Sequence, residues 1–143
     1  MLPPFSDDYL LMCESHRSSW QVNKGLEHFS EVPGLYPQFI YSLNLSGNNL
    51  SELPPLLFTT MGNLKDLSVS GNMLKSLPNE IGNCKQLVTL SVSENCLTKL
   101  PHSLKRCQEL TRLDIDKNNF AEFPGVVLKL KNLTRLYAQH LQL

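Results

Sequence analysis

The sequence predicts an α/β solenoid: a horseshoe segment with a concave parallel β-sheet and a convex side of short helices or turns. Three observations predict it. A set of eight slots recurs along the chain with a fixed period. Each unit opens on a short alternation of apolar and polar residues. Each then passes through an Asn and closes on L-x-x-L-P. Between residues 64 and 87 the slots are Leu64, Leu67, Val69, Asn72, Leu74, Leu77, Pro78 and Ile81. A shift of 23 residues brings Leu87, Leu90, Val92, Asn95, Leu97, Leu100, Pro101 and Leu104 into the same places.

A further shift gives Leu110, Leu113, Ile115, Asn118, Phe120, Phe123, Pro124 and Val127. The leading copy is Ile40, Leu43, Leu45, Asn48, Leu50, Leu53, Pro54 and Leu57, one residue out of step because Pro54 to Pro78 spans 24 residues. A partial fifth copy begins at Leu133, Leu136 and Ala138. Self-similarity at this period is the signature of a leucine-rich repeat.

Each element follows from a physical requirement. The alternating cores Leu43/Leu45, Leu67/Val69, Leu90/Val92 and Leu113/Ile115 predict short strands with one buried face. Stacked units pair these strands into a parallel sheet. Asn48, Asn72, Asn95 and Asn118 stand where the chain turns out of the strand. A buried amide there satisfies backbone groups of adjacent turns, which an apolar residue cannot do. The role of these asparagines is structural. The L-x-x-L-P segment sends two more apolar side chains inward, and the Pro ends any helical tendency of the residue before it. Residues 54–63, 78–83, 101–106 and 124–130 then predict convex helices or helical turns. Ile81, Leu104, Val127 and the slot of Met61, Cys84, Cys107 and Leu130 face the core.

At 143 residues the chain predicts one domain with a sizeable core. Thirteen basic and thirteen acidic residues leave no net charge, so nothing points to nucleic acid or a polyanionic surface. Apolar residues, 41% of the chain, fall in periodic slots, and no run is long enough to span a membrane. Residues 1–19 form an N-terminal tail or cap, with Ser6 placed to cap a short helix over residues 7–13. This stretch lacks the basic start of a secretory signal. Residues 20–39 read as a degenerate first repeat: Trp20 and Val22 alternate, and Phe29-x-x-Val32-Pro33 echoes the later closing motif. Residues 40–143 hold about four full repeats and one partial one. Without a secretory signal, the N-x-[ST] sequons at Asn44, Asn49 and Asn132 are read as chance. Four scattered cysteines, without capping clusters, point to a reducing compartment.

Function in such a sheet falls on the residues between the core positions. Four concave columns result. Before the strand core stand Ser42, Asp66, Thr89, Arg112 and Arg135. Between its two apolar residues stand Asn44, Ser68, Ser91, Asp114 and Tyr137. After it come Ser46, Ser70, Ser93, Asp116 and Gln139, then Gly47, Gly71, Glu94, Lys117 and His140. Early units offer mainly small polar residues. The last two concentrate Arg112, Asp114, Asp116, Lys117, Arg135, Tyr137 and His140, and this cluster is the candidate partner-binding site, because Arg and Tyr are common binding hot spots. A second reading is that Arg112, Asp114, Asp116 and Arg135 neutralise one another in a solvated surface.

Catalytic signals were sought. There is no phosphate-binding glycine loop, nucleophile elbow, H-E-x-x-H or C-x-x-C, and the four histidines share no repeat slot. The sequence therefore predicts no enzyme, no cofactor and no metal.

The unit, with Leu77-Pro78-Asn79-Glu80-Ile81-Gly82-Asn83 as its LP-x-x-I-G segment, is similar to the 23-residue repeats of intracellular leucine-rich repeat proteins. It resembles the Ras-suppressor, Scribble/Erbin and plant intracellular Ras-group-related types over about residues 40–140. That resemblance implies a non-catalytic protein–protein interaction scaffold in intracellular signalling, in cytosol or nucleus, with a small GTPase or a signalling enzyme as partner. The alternative is a substrate-recognition or regulatory subunit of a ubiquitin ligase or phosphatase. Relatives of this type carry more repeats, and Leu141 stands in the Asn slot of the last unit. These departures raise two further expectations: a fragment or shortened isoform with little binding function, and self-association through an uncapped C-terminal end.

Overall fold

The computed structural model describes residues 19–21 and 40–142. Six short strands form one sheet in sequence order: β1 (Ser19–Gln21), β2 (Ser42–Asn44), β3 (Asp66–Ser68), β4 (Thr89–Ser91), β5 (Arg112–Asp114) and β6 (Arg135–Tyr137). All neighbours are parallel and in strict register: Leu43 faces Leu67, which faces Leu90, Leu113 and then Leu136. Register is held because a one-residue slip would turn every strand leucine to solvent. β1 pairs with β2 through Trp20 opposite Leu43. The other residues of the degenerate first repeat, and residues 1–18 of the tail, lie outside the described residues.

The convex side is built by the segment after each Pro. In the first full unit it is an α-helix, α1 (Pro55–Thr60). In the next three it is a 3-10 helix: Asn79–Asn83, His102–Arg106 and Gly125–Lys129. The difference traces to the one-residue excess of the first unit, which falls between Pro54 and Met61. There the Met61 N–H reaches four residues back to the Leu57 carbonyl at 2.9 Å. In the shorter units Cys84 and Cys107 reach only three back, to Ile81 at 3.0 Å and Leu104 at 2.9 Å. Each Pro stands before its helix in extended conformation, with φ from −62° to −69°. That is the dihedral its ring imposes.

The core lies between these layers, one tier per unit. Leu45, Val69, Val92 and Ile115 point into it from the strands, and Leu57, Ile81, Leu104 and Val127 from the convex side. Burying a leucine fully contributes about 1.5–3 kcal/mol relative to leaving it in water. The asparagines stitch the tiers together. Asn95 Oδ1 accepts the Leu74 N–H at 3.0 Å, while its amide donates to the Val69, Val92 and Ser93 carbonyls at 3.0, 3.1 and 3.0 Å. Asn72 and Asn118 repeat the pattern on Leu50 and Leu97. The ladder stops at Leu141, which has no amide to offer.

Two apolar slots depart from expectation. Phe123, in the slot of buried Leu53, Leu77 and Leu100, is 40% exposed. Pro124 has ψ of 107°, against 133–146° at the three earlier prolines. In the segment that follows, Val126 is buried. Leu136 on the sheet's last strand is 38% exposed, although Leu133, Ala138 and Leu141 around it pack against the core.

Candidate functional site

The register places the four predicted columns side by side on the concave surface. Ser42, Asp66, Thr89, Arg112 and Arg135 follow one another across the sheet, as do Asn44, Ser68, Ser91, Asp114 and Tyr137. In the early units the small residues satisfy one another. The hydroxyls of Ser46 and Ser68 lie 2.5 Å apart, those of Ser70 and Ser91 also 2.5 Å, and Ser93 donates to Ser70 at 3.0 Å. These hydroxyls are partnered within the sheet.

The last two units are built differently. Arg112 and Arg135 are exposed on β5 and β6 and stand directly opposite each other. The Arg112 guanidinium lies over the Tyr137 ring, 5.2 Å from its centre. Asp114 turns to the backbone, where its Oδ1 accepts the Asp116 N–H at 3.1 Å. Among the described residues one ion pair lies within 4.0 Å, between His140 Nδ1 and Asp116 Oδ1 at 3.7 Å. No ion pair within 4.0 Å joins Arg112 or Arg135 to Asp114 or Asp116 among the described residues. The stack on Tyr137 and the turn at Asp114 take those groups elsewhere.

Asp116 occupies the slot of Ser46, Ser70 and Ser93. Its Oδ1 is shielded from solvent and accepts no hydrogen bond. Its one charged neighbour within 4.0 Å among the described residues is His140 Nδ1, at 3.7 Å and beyond hydrogen-bond distance.

The fourth column carries a demand that the sequence reading missed. Gly47, Gly71, Glu94, Lys117 and His140 all have positive φ, between 52° and 72°. The chain leaves each strand through a left-handed turn. Glycine takes that conformation freely, while an L-residue pays about 1–2 kcal/mol. The signal was the pair of glycines opening the column. The candidate residues Lys117 and His140 hold their side chains on strained backbone.

Elsewhere, a pocket of about 470 Å³ opens beside Leu100, Phe120, Phe123 and Val126, rimmed by Lys99 and Lys129. None of the concave candidates lines it. Cys84 and Cys107, one repeat apart, are buried; burial pushes their thiols up to about 12 and about 11, and the neighbouring Cys107 adds to the shift at Cys84. The Cys84 thiol donates to the Met61 carbonyl at 3.6 Å and that of Cys107 to Ile81 at 3.4 Å. These are protonated core groups at neutral pH. Among the described residues no group of three or more His, Cys, Asp or Glu is placed to hold a metal ion. No helix among the described residues is long and apolar enough to cross a membrane.

Comparison with known proteins agrees with this geometry. The leucine-rich repeat family profile matches residues 40–97. Residues 40–97 thus match the leucine-rich repeat family, and the chain has the leucine-rich repeat fold. It is similar to a leucine-rich repeat protein of Leptospira interrogans: 35% identity and a TM-score of 0.69 over 73% of this chain and 26% of that one. The leucine-rich repeat domain of APL1B superposes with a TM-score of 0.73 at 23% identity, covering 86% of this chain and 39% of that one. The BIR2 ectodomain from Arabidopsis thaliana gives 0.61 at 22% identity, covering 74% of this chain and 58% of that one. The last two show the fold alone. The chain spans between about a quarter and three-fifths of the length of these structures. No curated protein matches it.

Leucine-rich repeat domains generally mediate protein–protein interaction and are generally non-catalytic. The concave surface here has the corresponding form: a rigid sheet whose exposed residues are set by register.

Proposed function

We propose that this protein is a non-catalytic scaffold that binds a partner protein on the concave face of its last two units. Arg112, Asp114, Asp116, Lys117, Arg135, Tyr137 and His140 form the contact surface. The single observation that carries the reading is the contrast between the two halves of the sheet. The early hydroxyl residues are mutually hydrogen-bonded. The late residues hold guanidiniums without ion-pair partners among the described residues and an aromatic ring 42% exposed. Groups left unsatisfied on a rigid surface are the ones a partner can satisfy. Resemblance to the Ras-suppressor and Scribble/Erbin repeats supports a role in intracellular signalling.

The test is comparative capture of partners from cytosol. Wild type runs beside Arg112→Glu/Arg135→Glu/Tyr137→Ala and beside Leu56→Ser/Leu128→Ser, which alters two exposed convex residues. All three must share the same circular dichroism and melting. A protein held by the wild type and the convex variant, and lost by the concave variant, supports the reading. Loss with the convex variant alone, or capture indifferent to both, overturns it.

A further inference from the structure

We infer that Arg112 and Arg135 form a recognition site for a carboxylate, the side chain of an Asp or Glu in an extended segment of the partner. This rests on the concave-face reading and names the chemistry of the group it accepts. The two arginines are partners in the β5–β6 register. Parallel strands place their backbones about 4.8 Å apart. Two like charges directly opposite one another are destabilising. An unliganded surface would answer with a nearby carboxylate, and this one does not: neither arginine makes an ion pair among the described residues. Asp114, on the same face two residues from Arg112, is occupied by the Asp116 N–H.

Geometry favours an anion of defined shape. The cation–π contact with Tyr137 restrains the Arg112 guanidinium, 5.2 Å from the ring centre. Its N–H groups make no ion pair among the described residues. A fixed guanidinium edge binds a planar carboxylate with two parallel hydrogen bonds. Arg135, one strand on, supplies the second positive charge. No other unit repeats the arrangement, since the same column holds Ser42, Asp66 and Thr89. Charge sets the size of the guest. The late concave surface carries three cations, Arg112, Lys117 and Arg135, against the carboxylates of Asp114 and Asp116. One negative charge balances it, whereas a phosphate dianion would meet repulsion from both aspartates.

The test uses the full chain and a display library of random short peptides. Wild type is expected to enrich peptides with an Asp or Glu at one fixed position. Arg112→Gln and Arg135→Gln should each weaken the selected peptides about tenfold, the loss expected for a hydrogen bond to a charged group. Arg112→Lys keeps the charge without the fork or the stack, and should lose affinity to an intermediate degree. A synthetic peptide with Asn or Gln at the enriched position should bind as weakly to the wild type as the parent binds to Arg112→Gln.

Peptides selected without acidic enrichment, or binding indifferent to both arginines, overturn the carboxylate site. The concave-face reading then still stands if Tyr137→Ala abolishes the binding. Tighter binding of a phosphoserine version of the peptide overturns the carboxylate in favour of phosphate. Selection of no peptide at all overturns both. A readout without ligand accompanies these: at low ionic strength Arg135→Gln should melt higher than the wild type, and higher salt should erase the difference. An unchanged or lower melting point contradicts the like-charge strain on which the site rests.

Discussion

The Arg112 guanidinium stacks on the Tyr137 ring of the next strand, 5.2 Å from its centre, and makes no ion pair with Asp114 on its own strand. The contact crosses from β5 to β6 and joins the last two units on their exposed face. A half-exposed pair of this kind is worth about 0.5–1 kcal/mol. A double-mutant cycle with Arg112→Ala and Tyr137→Ala should give a coupling of that size in thermal stability. Tyr137→Phe, which keeps the ring face, should retain most of it. A coupling of zero would mean that the stack does not hold Arg112 in place.

Asp116 should trade stability for binding. In the three earlier units its slot is Ser46, Ser70 and Ser93, whose hydroxyls are partnered. Asp116 leaves one shielded oxygen without a hydrogen bond. Asp116→Ser should therefore raise stability by about 1 kcal/mol, the lower end of what an unsatisfied acceptor costs. The same substitution should weaken partner binding. Chemical denaturation checks the first effect and affinity for a captured partner the second. If binding survives unchanged, Asp116 does not belong to the contact surface.

The left-handed column predicts opposite effects in different units. At Lys117, with φ of 52°, Lys117→Gly should stabilise by about 0.5–1 kcal/mol, since glycine escapes the αL cost but loses chain entropy. At Gly71, with φ of 68°, Gly71→Ala should destabilise by about 1 kcal/mol. Space is not the cause: a Cβ there would meet Gly47 N at 3.5 Å, ordinary contact. Denaturation midpoints of the two variants decide it.

Alkaline solution should destabilise the fold through its buried thiols. Cys84 and Cys107 titrate near about 12 and about 11 when folded, against 9.0 in the free side chain. The folded pKa is raised, so the stabilisation is whole below pH 9 and is lost as pH rises towards the folded values. Above pH 9 the unfolded chain releases protons that the native chain retains, and unfolding becomes easier with pH. The slope is at most about 1.4 kcal/mol per pH unit for each thiol. Melting temperatures of wild type and Cys84→Ala/Cys107→Ala between pH 8 and pH 11 should converge as pH rises. A constant gap would show that the thiols are not the titrating groups.

Most of the fold was legible because a repeat states its constraints several times. Leu43, Leu67, Leu90 and Leu113 announce the register by position alone, and Asn72, Asn95 and Asn118 announce the ladder. The unequal spacing from Pro54 to Pro78 was visible, yet its meaning was not. Only the hydrogen bonds show that the extra residue converts a 3-10 helix into α1. The left-handed column was hidden by Glu94, Lys117 and His140, whose side chains read as ordinary solvated charges. The concave grouping was legible as residue types in register, whereas its pairing was not. Whether Arg112 turns to Asp114 or to Tyr137 depends on rotamers and on a backbone N–H competing for the carboxylate. Phe123 fitted the apolar pattern, yet its ring is 40% exposed.

The most direct test of the account is hydrogen exchange on the whole chain, alone and saturated with a partner recovered by capture. The account predicts added protection over residues 112–117 and 135–140, with the convex helices at 79–83 and 102–106 unchanged. Protection confined to the convex helices, or to the early strands at 42–44 and 66–68, would contradict it.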